Sequence, residues 1–385
     1  MSKTLQREIA SLASSLVRLP SRNPPGEEAR ITQFVANWLL KADLNPTFVP
    51  LSPNRSSVVC RLPGRKSGSI VLCGHLDTVD TDPSTWRVPP FDGRVENGRL
   101  WGLGAADMKG AVAVLLQLVS DLHREALMPV HDVVLALTVD EEVSYRGAAT
   151  VVESGLIDDA KLLLIAEPTA GHLYTGQKGE LWIEVTFLGR EAHGSTPALG
   201  TNTILPAARF CTRLQEEMSL LPEIPDLGRT TLNIGRFRGG RQVNIVPDRS
   251  SVHLDIRTVC PEDRDAAIDR IDRLAEEEAR ASTARFERRI LGDHPPIVGA
   301  AEEPYARNLA QALIDTTGTS PPIGISPFST DAVSIVPQLD LPVLLYGPGD
   351  IAQAHQPNEW VDLQALATAY EVLRRFLDCH HPLSC

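Results

Sequence analysis

The stretch LCGHLDTVD, residues 72–80, ends an apolar run on His75 and, two residues later, Asp77. A buried strand that ends on an imidazole and a carboxylate places two chemistry-bearing groups where a ligand-handling loop begins. Similar junctions recur: DVVLALTVDEE runs from apolar residues into Asp140, Glu141 and Glu142, and KLLLIAE ends on Glu167. Asp107 lies in WGLGAADMKG just ahead of a helical pattern, and His355 in GPGDIAQAHQPNEW just past the last buried run. Singly, each has a bland explanation, since strand-end histidines are often structural and paired glutamates usually face solvent. Together, two histidines and several carboxylates make the mixed nitrogen and oxygen donor set that suits zinc, cobalt or manganese. GLGAAD, by contrast, lacks the third glycine of a dinucleotide-binding GxGxxG, so it is a weak signal for a nicotinamide cofactor.

The elements that must carry these groups are legible from periodicity. Up to about residue 178, apolar runs at 57–62, 69–75, 132–140 and 161–167 alternate with helical patterns at 28–43, 108–126 and 145–155. Strands that are apolar throughout and separated by helices predict an α/β fold with a mixed, mostly parallel sheet sandwiched by helices. In such sheets the loops at the carboxyl ends of strands form the ligand site, and the acids and histidines fall there. From about residue 179 the texture shifts to period-two alternation, in the order strand, helix, two strands, helix, strand. That order predicts an inserted α+β, ferredoxin-like domain over 179–293. Residues 1–178 and 294–385 then form one discontinuous catalytic domain, with a buried run at 341–347 and an amphipathic helix over 361–377.

Composition bounds the rest. A chain of 385 residues exceeds what one core supports, about 250–300 residues, so two domains are expected. The formal net charge is −12 and no basic run is present, which argues against nucleic acid or an anionic membrane as partner. Leu5, Ile9, Leu12 and Leu16 sit at helical spacing among charges, which reads as a first amphipathic helix and not a signal peptide. No apolar run approaches the roughly 20 residues that span a bilayer. The cysteines (60, 73, 211, 260, 379 and 385) form no CxxC pair, which points to a reduced, cytoplasmic setting. His380 and His381 read as tail residues without a role.

Taken in order, GHLDTV, GRLWGLGAADMKG, TVDEEVSYRGA, AEPT, GREAHGSTPALGTNTI and AQAHQPNE resemble the motifs of the dinuclear zinc aminoacylase and carboxypeptidase family. That family includes acetylornithine deacetylase, succinyl-diaminopimelate desuccinylase, aminoacylase and glutamate carboxypeptidase. The resemblance runs from about residue 5 to 375. TLNIGRFRGGRQVNIVPDRSSVHLDIR, HPPI and the segment around His355 look most like acetylornithine deacetylase.

The resemblance implies two divalent ions, Zn2+ first and Co2+ or Mn2+ as alternatives. His75, Asp107 and Glu167 would hold one, and Asp107, Glu142 and His355 the other, with Asp107 bridging. Asp77 would hydrogen-bond the far nitrogen of His75, and a cis peptide would follow Asp107. Glu141 would be the general base, although chemistry alone lets Glu141 and Glu142 exchange roles. His193 would stabilise an oxyanion in the other subunit's site, which makes the active unit a homodimer joined through the 179–293 lid domain. Arg257 and Asn244 would grip the free carboxylate of a small N-acylated amino acid, and Thr330 and Asp331 occupy a substrate-loop position. Acetylornithine deacetylases often carry Glu where this chain has Asp331. An alternative Arg257–Asp255 pair is disfavoured, because residues two apart on a strand are about 6.5–7 Å apart. The expected activity is removal of an acyl group from an amino-acid nitrogen, acetylornithine first, with a place in arginine biosynthesis. A desuccinylase, a general aminoacylase, or a dipeptidase or carboxypeptidase uses the same residues. A non-catalytic metal-binding protein is disfavoured because Glu141 and all five ligands are present.

Overall fold

The computed structural model describes residues 3–225 and 227–378. Cys379, His380, His381 and Cys385 lie outside the described residues. The described residues divide into two compact units: one spans 3–176, 299–324 and 330–378, the other 177–298 with 325–329.

The larger unit is built on an eight-stranded sheet. At its centre Lys66–His75 runs parallel to His131–Thr138 on one side and to Ala160–Ile165 on the other. Val343–Leu345 continues the parallel set beside Ala160–Ile165. Arg55–Leu62 and Pro46–Ser52 extend one side antiparallel, and Leu173–Gln177 and Ile323–Ser326 complete the other. Each of the four apolar runs therefore holds a strand, and the helical patterns become Ala29–Lys41, Gly110–Arg124 and Arg146–Glu153. The edge strand Pro46–Ser52 escaped the sequence reading because it carries two prolines, tolerated only where backbone N–H groups need no partner.

The first helix, Lys3–Val17, buries Ile9, Leu12 and Leu16, as their spacing predicts. Gly110–Arg124 is buried nearly all round, which explains its apolar run. Among the described residues no helix is long and apolar enough to cross a membrane. A small sheet of Arg94–Glu96, Arg99–Trp101 and Trp360–Asp362 was not anticipated. It ties the segment after residue 347 to the loop before Asp107, and the Arg99 guanidinium stacks 3.6 Å over the Trp360 ring.

The smaller unit is a four-stranded antiparallel sheet in the order Thr231–Gly239, Arg249–Thr258, Gly179–Leu188, Arg285–His294. Burial alternates residue by residue along Arg249–Thr258. The buried side, with Leu181, Ile183, Phe187 and Leu254, packs on Phe210 and Leu214 of Ile204–Ser219 and on Ile271 and Leu274 of Pro261–Ala281. Cys60, Cys73, Cys211 and Cys260 are free thiols.

Candidate metal centre and active site

Parallel strands share one carboxyl edge, and the chemistry gathers there. His75 is the last residue of its strand and is buried. Its Nδ1 lies 3.0 Å from the Asp77 carbonyl oxygen. A carbonyl only accepts, so Nδ1 carries a proton and Nε2 is left to face the site. That Nε2 lies 3.0 Å from Asp107 Oδ1 and 3.9 Å from Glu167 Oε1. The orienting role expected of the Asp77 carboxylate thus passes to its backbone, because the carboxylate stands 3.7 Å from Nδ1. The chain curls after His75, and the carboxylate instead accepts the backbone N–H groups of Glu141 and Glu142, each at 3.2 Å.

Asp107 sits in a single wide turn, Ala105–Lys109, and a cis peptide follows it. The buried Glu359 holds that turn by accepting backbone N–H bonds from Gly104, Ala106 and Asp107 at 2.9, 2.7 and 3.0 Å. Gly104 has φ +81°, where a side chain would be strained. Asp107 then presents its two oxygens to two imidazoles. Oδ1 meets His75 as above, and Oδ2 lies 3.4 Å from His355 Nε2, which is 3.0 Å from Glu142 Oε2. Each ring that faces Asp107 therefore also faces another carboxylate. Ligand atoms of His75, Asp107 and Glu142 all lie within 4.8 Å of one another.

Asp107, Glu141, Glu142 and Glu167 bring four carboxylates to two imidazoles. Burial, reinforced by neighbouring carboxylates, raises the proton affinity of Glu141, Glu142 and Glu167. Burial also opposes charge on Asp107, but hydrogen bonds to His355 and His75 outweigh it and hold its carboxyl well below the usual range. His75 is held above its ordinary value because Asp107 and its neighbours overcome burial, and His355 is pushed up to about 10 by Asp107 and Glu142. A surplus of buried carboxylates around Asp107, which two imidazoles share, is what a pair of cations would relieve, and the donor types fit zinc-class ions.

Several groups lie elsewhere than the sequence suggested. Asp140, with φ +70°, turns its carboxylate away to Arg55 Nη2 at 2.8 Å and Asn23 Nδ2 at 3.0 Å. Thr330 and Asp331, expected at a substrate-loop position, are both buried. Asp331 Oδ2 accepts from Thr138 Oγ at 2.5 Å and from the Cys73 thiol at 3.8 Å, and burial pushes its pKa up to about 7. Arg257 overturns the geometric objection raised above, since its Nε lies 2.8 Å from Asp255 Oδ1 and its Nη1 2.7 Å from Glu180 Oε2. The strand separation holds, but a long side chain laid along the strand spans it, and Glu180 is the residue directly opposite.

His193 and Asn244 are exposed on adjoining loops of the smaller unit, where Gly194 N–H donates to the Asn244 carbonyl at 2.8 Å. Ser195 N–H donates to His193 Nδ1 at 3.1 Å, so the neutral ring carries its proton on Nε2. Sequence reading missed Glu359, Asn23, Arg55 and the fully buried Lys109, whose ammonium donates to the Leu19 carbonyl at 2.8 Å and is pulled down to about 7 by burial. The only trace of Glu359 was its place in the NEW that follows His355.

Residues 71–378 match the model of peptidase family M20/M25/M40. The chain belongs to this family. Over 343 residues it is 31% identical to the acetylornithine deacetylase of Pectobacterium carotovorum subsp. carotovorum (strain PC1), covering 86% of each chain. Over 389 residues it is 25% identical to a Staphylococcus epidermidis protein named "Probable succinyl-diaminopimelate desuccinylase", covering 91% of this chain and 92% of that one. The Bacillus subtilis YXEP protein, a dinuclear metal binding peptidase from the M20 family, matches with a TM-score of 0.76 over 98% of each chain at 17% identity, a likeness of fold. The motif resemblance and the mixed α/β architecture therefore hold: this M20 chain is a hydrolase with a candidate metal centre at the carboxyl edge of its sheet.

Proposed function

We propose that the chain is a two-metal amidohydrolase that removes the acyl group from the α-nitrogen of a small amino acid, with Nα-acetylornithine the leading substrate. The observation that carries the chemistry is Asp107, one carboxylate set between two imidazoles that each meet a further carboxylate. His75, Asp107 and Glu167 would hold one ion, and Asp107, Glu142 and His355 the other; zinc is the proposed metal, with cobalt or manganese as substitutes. Bound there, the ions supply an acidified water and an electrophile for the scissile carbonyl.

The chain's own residues do the rest. Glu142 touches His355 and belongs to the donor cluster, which supports it as ligand and leaves the buried Glu141 as base. Glu141, whose proton affinity is raised by burial, takes a proton from the attacking water and returns it to the leaving nitrogen. His193 would donate its Nε2–H to the developing oxyanion of a second subunit, in a homodimer joined through residues 179–293. Asn244 and Arg257 would meet the substrate's free carboxylate, although Arg257 already carries Glu180 and Asp255. The name of the 31% identical relative supports acetyl as the acyl group, and the free thiols support a cytoplasmic home. If the substrate holds, the pathway served is arginine biosynthesis. The name of the 25% identical relative makes succinyl-diaminopimelate the second substrate to try.

The test is amine release from Nα-acetyl-L-ornithine by metal-stripped protein, with and without added zinc. Zinc-dependent release with kcat/KM of about 10⁴–10⁸ M⁻¹s⁻¹ is the expected result. Release that is zinc-dependent only from succinyl or aminoacyl substrates would keep the chemistry and replace the substrate. No release from any of them would remove the reading.

A further inference from the structure

Asp77 and Asp140 lie on the loops that follow two neighbouring parallel strands, and one side-chain amide stands between them. Asn23 is 4% exposed, and its Nδ2 donates to Asp77 Oδ2 at 3.0 Å and to Asp140 Oδ1 at 3.0 Å. A primary amide nitrogen carries two hydrogens, and this bridge uses both. Serine or threonine has one donor and aspartate at neutral pH has none.

The amide is itself anchored. Asn23 N–H donates to the Thr78 carbonyl at 2.8 Å, Thr78 N–H to the Ser21 carbonyl at 3.0 Å, and Ser21 Oγ to the Leu76 carbonyl at 2.7 Å. Ser21–Asn23 is thus laced along the loop that carries Asp77. From the far side Arg55 holds Asp140, and its Nε is fixed at 2.9 Å on Oε2 of the buried Glu28. Asp77 in turn receives the backbone N–H groups of Glu141 and Glu142. A continuous set of contacts therefore runs from Arg55 through Asp140, Asn23 and Asp77 to the two glutamates. Asn23 joins the Asp77 and Asp140 carboxylates, beside the direct bonds of Asp77 to the Glu141 and Glu142 N–H groups. Without the amide, two buried carboxylates would face each other with no donor between them, and their repulsion would work against the Asp77 bonds to Glu141 and Glu142 N–H that remain.

We propose that Asn23 is a positioning residue that fixes the spacing between the loop after His75 and the turn bearing Glu141 and Glu142. It acts on the metal centre through Asp77 and Asp140. The inference rests on the two-metal reading and adds to it a residue from a segment that carries no ligand.

The test compares the full-length chain with its Asn23→Ala and Asn23→Ser variants. In metal-free protein, amide exchange in segments 76–80 and 139–146 should quicken on the order of tenfold in Asn23→Ala, while Leu363–Asp378 and the smaller unit exchange as before. Zinc affinity, read by competition with a chromophoric chelator, should fall about 10–100-fold, as it does when groups behind metal ligands are lost. The kcat should fall with KM held within about threefold, because the substrate is not touched. Asn23→Ser keeps one donor and should lie between the others; it decides by the same readings if Asn23→Ala does not fold. Unchanged exchange in both loops, or a uniform rise across the chain, would overturn the proposal. Failure of the unaltered protein to bind two zinc ions would instead sink the two-metal reading, while the exchange data still decide whether Asn23 ties the loops.

Discussion

The two units handle their candidate functional groups in opposite ways. In the larger unit strand ends and the turn bearing Asp107 gather His75, Asp107 and Glu142, with Glu167 beside His75 and His355 beside Glu142, and backbone contacts fix the Asp107 turn. In the smaller unit His193 and Asn244 stand exposed, and Arg257 is already engaged by two carboxylates of its own sheet. Convergent, buried groups cost folding energy to assemble, so their convergence is itself a sign of function. Exposed groups carry no such sign, and their roles must be read from what they do to the reaction.

The contrast can be broken or sharpened by substitution. Glu141→Ala should lower kcat by about 10²–10⁴-fold while zinc stoichiometry by elemental analysis stays unchanged. Loss of one equivalent of zinc with the rate preserved would instead make Glu141 a ligand. His193→Ala should cost about 10²–10³-fold in kcat with little change in KM. Mixing these two inactive proteins under conditions that exchange subunits should restore about a quarter of normal activity, since half the dimers are mixed and each has one intact site. No recovery would remove the trans role and, with it, the reason to expect a dimer.

Arg257→Ala should act mainly on stability, by about 1–3 kcal/mol in urea denaturation, because it strands the buried Glu180. A large rise in KM with stability unchanged would restore the substrate-binding role. The smallest signal is in protons. His75 and His355 hold theirs above the ordinary histidine value in the metal-free protein, so at pH 7.5 zinc must displace them. Loading in weak buffer should release roughly one proton or more per ion, and zinc should be lost as pH falls.

How much of this was legible depended on what kind of contact each residue makes. His75, Glu142 and Glu167 could be read because they follow strands directly, and strand ends show in the apolar pattern; Asp107 and His355 were read from their motifs. Asp77 was the right residue with the wrong contact, since nothing in GHLDTV tells whether a carbonyl or a carboxylate reaches the ring first. Asp331 was placed by its motif position alone, which does not tell that its carboxylate turns inward onto Thr138 and Cys73. Glu359 and Asn23 were silent for another reason. Both work through backbone groups or through partners more than 50 residues away, and such pairings leave no local spacing to find.

Asn23 also has a consequence for anyone who trims the gene. The family match begins at residue 71, and a protein expressed from there would keep all five proposed ligands and Glu141. It would lack Asn23 and Arg55, and with them the side-chain donors that hold Asp140 and Asp77 from the amino-terminal side. It would also lack the two outermost strands beyond His131–Thr138, leaving that strand as a bare sheet edge open to pairing with another molecule. Such a truncation would look complete by its motifs and behave as an aggregating, poorly metallated protein.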